Sequence, residues 1–394
     1  MFERHLNERE GEWDWTLLGA TLGLMVIGVM FVCSATSFSE AARSAPWFKQ
    51  IYVRQIVWCA MGGGGAIALC MLDYVTIARW STVGYWLMII LLIAVFAFTP
   101  VNGARRWIDL GFGFNLQPSE FAKIAFVFLM ANFLSRPIEE LRMPEVFWKA
   151  VGMTVLPFGL ILKEPDMGSA LVFLPMSLVM MFVAGVPKRF LARLIGVMGL
   201  VAVVAVFVPQ LGIVKSYQRD RLLTYFGPNF AHKNATPEER KDLAKKIREK
   251  GYNVEQALIS VGSGGLWGRG WRQGTQYALG FLPRAGAHND FIFSVIAEEE
   301  GFVGSVVILT LYTVLLFCGI KIASQARDRL GTLLAIGVVV MLFTHVFINI
   351  GMNIRLMPVT GIPLPLLSYG GSSVVCSLIA IGILHNVHIH RRSY

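Results

Sequence analysis

The sequence predicts an all-α polytopic membrane protein with about ten transmembrane helices, because the chain is too apolar and too poor in charge for a soluble fold. Of its 394 residues, 55% are hydrophobic and only 15% are charged, whereas charged residues make up about 25% of an average soluble domain. Long apolar stretches, each near the roughly 20 residues that cross a bilayer as a helix, recur along most of the chain. This composition excludes a disordered chain, a coiled coil and an ordinary cytosolic enzyme.

Ten apolar stretches are predicted to span the bilayer. In chain order they are Trp15–Ser34, Ile51–Met71, Thr82–Thr99, Pro118–Leu134, Trp148–Leu162, Gly168–Ala184, Phe190–Val208, Phe302–Ile322, Thr332–Ile354 and Leu364–His388. Ten spans put both termini on one side, and the positive-inside rule makes that side cytoplasmic. When the residues at the ends of the spans are included, the inner side then carries fourteen Lys and Arg residues, and the outer side carries seven outside the long polar segment.

One long polar segment, residues 209–290, lies between the seventh and eighth spans and is extracytoplasmic on this topology. It holds thirteen Lys and Arg against seven Asp and Glu, which is six of the ten net positive charges of the chain. A capping pattern at Thr236 predicts a helix that runs to Lys250, and a second short helix follows from Asn253. Residues 1–394 are thus interpreted as one membrane domain with a single large outer loop. Nucleic acid is excluded as a partner, whereas anionic lipid headgroups or lipid diphosphates suit a basic surface there.

Ionisable residues at membrane depth are costly and are therefore functional candidates. Glu120 and Lys123 lie at i and i+3 near the outer end of the fourth span, a spacing that lets them pair; the alternative is a buried pair that only locks two helices. Lys163, Glu164 and Asp166 occupy an outer turn around Pro165, which either lies at the surface or lines a polar cavity.

Two further outer segments carry candidate residues. Arg105 and Arg106 precede Trp107, a combination typical of interfacial anchoring, although paired arginines also suit a diphosphate. Glu298–Glu300 interrupt an apolar run, so Phe291–Ala297 is predicted to be a short helix ahead of the span at Phe302. Asp290 begins that short helix, where an Asp is often only an N-cap. The five cysteines fall inside apolar spans without metal-type spacing, and they are interpreted as small buried side chains.

Several motifs together resemble one membrane family. They are Asn102–Ile108, Gln117–Lys123, Lys163–Ala170, Tyr217–Gln218, Arg221–Leu222, Gly262–Leu266, Phe281–Pro283, His288–Phe293, Gly361–Pro365 and Leu367–Ser373. In this order they are similar to the SEDS family, the RodA/FtsW group of peptidoglycan glycosyltransferases. Gly251–Asn253 and Gly274–Gln276 resemble the elongation branch, RodA, more than the division branch, FtsW. Asn289 stands where the family usually has Thr, and the segment before His288 is longer than usual.

The resemblance implies an inverting glycosyltransferase that polymerises lipid II into β-1,4 glycan and releases undecaprenyl diphosphate. Asp290 matches the essential outer-loop aspartate of the family, and a partly desolvated carboxylate there is a plausible general base. The implied substrate-binding residues are Arg105, Arg106, Trp107, Glu120, Lys123, Lys163, Asp166, Arg221, His288 and Ser368. Among these, the cations would bind the diphosphate, and Glu120 would orient Lys123.

The resemblance also implies a location in the bacterial cytoplasmic (inner) membrane and a place in the elongation machinery, with a class B penicillin-binding protein, a transpeptidase, as partner. No compact carboxylate cluster indicates a metal site, but Mg²⁺ or Mn²⁺ bound to the substrate diphosphate would leave no motif. Two alternatives stay open: a lipid II flippase or transporter, and a non-catalytic scaffold of the cell-wall synthesis complex.

Overall fold

The computed structural model describes residues 13–37, 46–98, 105–109, 111, 115–207, 225, 251–282 and 284–391. In this part of the chain, ten long helices correspond one to one to the ten predicted spans. They are α1 (Trp15–Thr36), α2 (Ile51–Cys70), α3 (Ser81–Ala94), α4 (Pro118–Leu134), α5 (Pro144–Lys163), α6 (Met167–Ala184), α7 (Lys188–Phe207), α8 (Ile292–Ser324), α9 (Arg329–Asn353) and α10 (Gly371–Ile389). Seven of these helices are long and apolar enough to cross a membrane, so the all-α polytopic prediction is confirmed.

The shorter elements lie between the long helices. Short helices of one or two turns lie at Trp47–Lys49, Tyr74–Arg79, Val95–Ala97, Ile138–Leu141, Thr275–Ala278 and Arg284–Ala287. A longer helical segment covers residues 251–263. The strands of the described residues form one antiparallel ribbon, in which Ile108–Asp109 pairs with Asn115–Leu116. Regular structure is therefore almost entirely helical.

Helices α9 and α10 form the centre of the bundle. Helix α9 packs against α4, α6, α8 and α10, and α10 also packs along α2. Gly62 allows the last contact, because a Cβ there would overlap the Leu378 side chain of α10. Large apolar side chains on the outer helices stay exposed, among them Ile67 of α2 and Leu200 of α7. Such an apolar outer surface suits a helix bundle solvated by lipid.

The last predicted span begins too early. Residues 364–370 are not helical, and α10 starts only at Gly371 instead of Leu364. Pro363 and Pro365 explain the difference, since proline lacks an amide hydrogen and disfavours a helical conformation in the residue before it. The resulting turn lies beside the candidate site described below.

Helix α8 is two helices joined at a break. Gly301 has φ 68° and ψ −159° within Ile292–Ser324, which confirms the predicted short helix ahead of the main span. Gly301 is required there, because a Cβ would overlap the backbone of Leu266 and Gly268. The predicted end of the short helix at Ala297 is too early: Glu298–Glu300 are helical, and Glu298 and Glu299 are buried.

The described part of the large loop differs from the prediction in one boundary. Gly251, the predicted stop of the first loop helix, is itself helical, and the helix continues to residue 263. After this helix, Gly265 adopts φ 57°, a left-handed conformation that favours glycine. The predicted helix Thr236–Lys250 and the candidate Arg221 lie outside the described residues. Of the cysteines predicted to be buried, Cys59, Cys318 and Cys376 are buried, whereas Cys33 and Cys70 are half-buried.

Candidate active site

Asp290 lies in a tight turn immediately before α8. The backbone amides of Asn289 and Phe291 both donate to the carbonyl of Gly286, at 3.1 and 3.0 Å. The N-cap residue of α8 is Phe291, and no side chain caps the helix. Asp290 therefore lies one residue before the N-cap position, and the interpretation of its side chain as a simple helix cap is wrong.

Two asparagines of α9 hold this turn in place. The side-chain amides of Asn349 and Asn353 donate to the backbone carbonyl of Asp290, at 3.0 and 3.1 Å. Both asparagines are fully buried, and their i, i+4 spacing places them on one face of the helix. They fix the backbone of Asp290, whose side chain is half-buried. The sequence reasoning missed them, although two amides at helical spacing in an apolar span are a usable signal.

The loop between α9 and α10 lies against the Asp290 carboxylate. Gly361 has φ 75°, and a Cβ there would lie 3.4 Å from Oδ2 of Asp290. The side-chain amide of Asn349 also donates to the carbonyl of Ile362, at 2.7 Å. One asparagine therefore connects the Asp290 turn to the neighbouring loop.

Ser368 and His288, both implied as substrate-binding residues, lie at the Asp290 turn. The Ser368 hydroxyl donates to the carbonyl of Asn289 at 2.6 Å and accepts from the amide of Leu364 at 2.7 Å. The Tyr369 amide donates to the carbonyl of His288 at 2.8 Å, and the two rings pack edge to face. The Ser368 hydroxyl thus holds the two loops together, and its predicted contact with substrate stays a prediction.

Asp166 forms a second buried polar centre at the same end of the bundle. One of its oxygens accepts from the Ser169 amide at 3.1 Å and caps α6, and the other accepts from the Gln117 side chain at 2.8 Å. Gly168 packs so closely on the loop that a Cβ would lie 2.8 Å from the carbonyl of Thr360. The loop at residues 360–362 therefore contacts both aspartate turns.

Glu164 and Arg106 lie next to Asp166 and are incompletely paired. Glu164 is 0% exposed, and neither of its carboxylate oxygens has a hydrogen-bond partner among the described residues. Burial, and then the charge of Asp166, raise the pKa of Glu164 to about 8, although Arg106 acts in the opposite direction. The buried Nε of Arg106 also has no partner within the described ranges. The surface-turn interpretation is wrong for Glu164 and Asp166, and it is right for the exposed Lys163.

The other predicted residues divide between surface and interior. Arg105 is exposed and donates to the carbonyl of Phe96 at 3.0 Å, and Trp107 is half-buried. The predicted pairing of Glu120 with Lys123 is confirmed, with Nζ 2.7 Å from Oε1 of Glu120. Lys123 is 1% exposed, so its ammonium group is enclosed in the bundle.

His345 of α9 completes the enclosed group. Lys123 Nζ lies 2.7 Å from Nε2 of His345, and Nδ1 of the ring lies 2.7 Å from the carbonyl of Met341. Because an ammonium group only donates, Nε2 must accept and Nδ1 must carry the hydrogen. The group therefore joins α4 to α9, which is the structural role that the sequence left open for this pair.

This arrangement has one half-buried carboxylate on a rigid turn and several cations at the same end. Such a carboxylate can accept a proton, while Arg105 and Lys163 are accessible to an anionic group. In the part of the chain that the structure describes, no group of three or more His, Cys, Asp and Glu residues is placed to hold a metal ion.

Comparison with known proteins identifies the class to which the chain belongs. Residues 15–393 match the FtsW/RodA/SpoVE family, described as "Cell cycle protein". The chain belongs to this family, which confirms the resemblance drawn from its motifs.

Individual relatives cover nearly the whole chain. The peptidoglycan glycosyltransferase MrdB of Escherichia coli (strain K12) is 34% identical over 385 residues, 96% of each chain. A probable peptidoglycan glycosyltransferase FtsW of Trichlorobacter lovleyi is also 34% identical, over 383 residues, 96% of this chain and 94% of the relative.

Solved structures share the fold. One chain comes from work on the structural coordination of polymerization and crosslinking by a peptidoglycan synthase complex. It has a TM-score of 0.76 and 29% identity, covering 96% of this chain and 98% of that chain. The rod shape determining protein RodA of Thermus thermophilus has a TM-score of 0.66 and 27% identity, covering 97% and 98%. The ten-helix arrangement is thus that of solved members of the family.

Proposed function

We propose that the protein is a peptidoglycan glycosyltransferase that polymerises lipid II into β-1,4 glycan strands and releases undecaprenyl diphosphate, acting in cell elongation and cell-shape maintenance. The observation that carries the proposal is the half-buried Asp290 carboxylate, held on a rigid turn in a chain whose relatives are named peptidoglycan glycosyltransferases. The similarity to a RodA structure and the RodA-like motifs of the loop favour elongation over division.

The reaction is a single displacement with inversion. The Asp290 carboxylate takes the proton from the 4-hydroxyl of an acceptor GlcNAc as its oxygen attacks the anomeric carbon of the donor MurNAc. The bond from that carbon to the diphosphate oxygen breaks, and undecaprenyl diphosphate leaves with the electron pair. A half-buried carboxylate is a stronger base than one in water, because desolvation disfavours its charged form.

The leaving diphosphate requires positive charge nearby. Arg105 and Lys163 are exposed and suit this role, together with Arg221. Arg106 lies beside the largely protonated Glu164, and its Nε has no hydrogen-bond partner among the described residues, so Arg106 is a further candidate cation. Lys123 is buried and paired with Glu120, so it is not among the exposed cations. A divalent cation such as Mg²⁺ or Mn²⁺ would arrive bound to the substrate diphosphate.

The protein is a multi-pass membrane protein, and the finer location that we propose is the bacterial cytoplasmic membrane, with both termini inside. We further propose a class B penicillin-binding protein as partner. A related chain was solved in connection with a complex that coordinates polymerization and crosslinking, which supports such a pairing. Isolation of the native complex followed by mass spectrometry should recover that transpeptidase, and its absence would contradict the partner proposal.

The deciding experiment is polymerisation of purified lipid II by the protein in liposomes. Asp290→Asn keeps the size of the side chain but removes the proton acceptor, so we expect the rate to fall by at least about 100-fold. Glu255→Gln is the matched control: Glu255 is an exposed carboxylate in the same loop, and its removal should leave the rate unchanged.

Each outcome has a distinct meaning. A D290N variant that polymerises at the rate of the unaltered protein would remove Asp290 as the base. An unaltered protein that translocates lipid II without polymerising it would favour the flippase alternative. A D290N protein that is folded and bound to its partner, yet inactive, would show that a scaffold role is insufficient.

A further inference from the structure

A series of buried polar contacts leads from the loop segment 251–276 to Asp290. It begins at Glu298, which is 1% exposed and lies two turns into α8. One carboxylate oxygen of Glu298 accepts from the backbone amides of Thr275 and Gln276, at 2.7 and 3.0 Å. The other accepts from the hydroxyl of Ser260 at 2.9 Å. Glu298 thereby ties the loop segment 251–276 to α8.

The chain continues from Ser260 towards the active site. The Ser260 hydroxyl also lies 3.2 Å from the carbonyl of Ser294. The hydroxyl of Ser294 donates to Oδ1 of Asn353 at 2.6 Å, and the amide of Asn353 donates to the carbonyl of Asp290 at 3.1 Å. Ser260, Ser294 and Asn353 are all buried without measurable exposure. We call Glu298, Ser260, Ser294 and Asn353 the Asp290 relay.

The orientation of the Asn353 side chain depends on this relay. Its oxygen is held by the Ser294 hydroxyl, and its nitrogen is thereby directed at Asp290 and at the carbonyl of Asn349. If the Ser294 hydroxyl is lost, the buried amide oxygen has no donor, and an unpaired buried acceptor destabilises that arrangement. The amide is then free to rotate and to release the Asp290 carbonyl.

We infer that Ser294 and Asn353 are positioning residues for Asp290, and that Glu298 and Ser260 connect this positioning to the loop segment 251–276. This inference rests on the proposed function, in which Asp290 accepts the proton. A carboxylate that shifts by even about 1 Å from its productive position loses much of its catalytic effect, because proton transfer requires hydrogen-bond distance. The relay therefore acts on the rate of the chemical step and not on the binding of lipid II.

Rates and affinities of relay variants in liposomes test this inference. For Ser294→Ala we expect kcat to fall about 10-fold, the effect of one lost hydrogen bond on the reacting geometry. KM for lipid II should change by less than about twofold, because no substrate contact is removed. The matched control is Ser305→Ala in the part of α8 that follows the break; its hydroxyl donates to the carbonyl of Gly301 outside the relay. This control should keep the kcat of the unaltered protein.

A double-variant cycle separates positioning from a general loss of structure. Asn353→Ala should lower kcat further than Ser294→Ala, and the two together should equal Asn353→Ala alone, because both act through the same bond to Asp290. Ser260→Ala, which removes only a hydroxyl at the far end, should lower kcat about threefold. It provides a second test if Asn353→Ala does not fold.

The outcomes separate this inference from the proposed function. If the unaltered protein does not polymerise lipid II, the proposed function fails. If it does, the inference is overturned when Ser294→Ala and Ser260→Ala both keep the original kcat, when their effects fall on KM, or when the fold-changes of Ser294→Ala and Asn353→Ala multiply.

Discussion

The turn that carries Asp290 and the turn between α5 and α6 lie at the same end of the bundle. They differ in how the buried polar side chains beside them are hydrogen-bonded. In the first, the amides of Asn349 and Asn353 each donate two hydrogen bonds to backbone carbonyls or to each other. In the second, the Glu164 carboxylate is 0% exposed and has no hydrogen-bond partner among the described residues.

This difference in hydrogen bonding has two consequences: one turn has a fixed backbone, and the other makes stability depend on pH. Fully paired buried amides hold a backbone in one position, because any other position leaves polar atoms unpaired. An unpaired buried carboxylate destabilises the folded state when it is ionised. The Asp290 turn is therefore a rigid frame for chemistry, whereas the turn at Glu164 makes the stability of the protein depend on pH.

The largest effect should come from breaking a fully paired group. Lys123→Met leaves Glu120 buried without its cation, so we expect the free energy of unfolding to fall by about 3–5 kcal/mol. Denaturant unfolding of the purified protein in detergent measures this change. An unchanged unfolding midpoint would mean that the pair is not as enclosed as the structure indicates.

The double variant Glu120→Gln with Lys123→Met is the matched control, since it removes both charges together. It should recover most of the lost stability, because no unpaired charge remains buried. Its polymerisation rate then tests the predicted role of Lys123 in substrate binding: a stable double variant with full activity would exclude that role.

An intermediate effect on stability should come from replacing the unpaired carboxylate of Glu164 with a neutral amide. The pKa of Glu164 is about 8 in the folded protein and 4.5 for an ordinary Glu. Between these values the folded state holds a proton that the unfolded chain has lost, so stability falls as pH rises from about 4.5 to 8. Glu164→Gln stays neutral and should be more stable than the unaltered protein by about 2–4 kcal/mol at pH 9.

The pH dependence of this difference is the decisive measurement. The gain in thermal midpoint of E164Q should be near zero around pH 4.5 and grow steadily up to about pH 8. A gain that is the same at all pH values would point to packing instead of charge. A loss of stability at high pH would show that the carboxylate is paired when ionised.

The smallest effect should come from the exposed member of the same turn. Lys163→Ala removes a surface cation, so the unfolding midpoint should stay within the equivalent of about 1 kcal/mol. If Lys163 binds the substrate diphosphate, KM should rise at low salt and the rise should shrink at high salt, since exposed charge pairs are screened. A KM equal to that of the unaltered protein at low salt would remove Lys163 from the predicted site.

Much of the candidate site could be predicted because its residues lie in contiguous motifs. The structure brings Ser368 to the turn that holds His288 and Asp290, and the predicted pairing of Glu120 with Lys123, one turn away, is confirmed. The residues that orient Asp290 were missed because their partners are distant in sequence: Asn349 lies 59 positions from Asp290. A polar residue in an apolar span signals a role, but it does not reveal which partner it binds.

The sequence by itself determined the fold class and the number of spans. Apolar stretches of membrane length must form helices in lipid, where every backbone polar group has to be paired internally. The tertiary structure alone decided which buried polar groups are paired. Glu298 and Glu164 are both buried glutamates, yet one accepts hydrogen bonds from three residues and the other accepts none among the described residues. That difference arises from how distant segments pack, because a hydrogen bond forms only where folding brings a donor within about 3 Å.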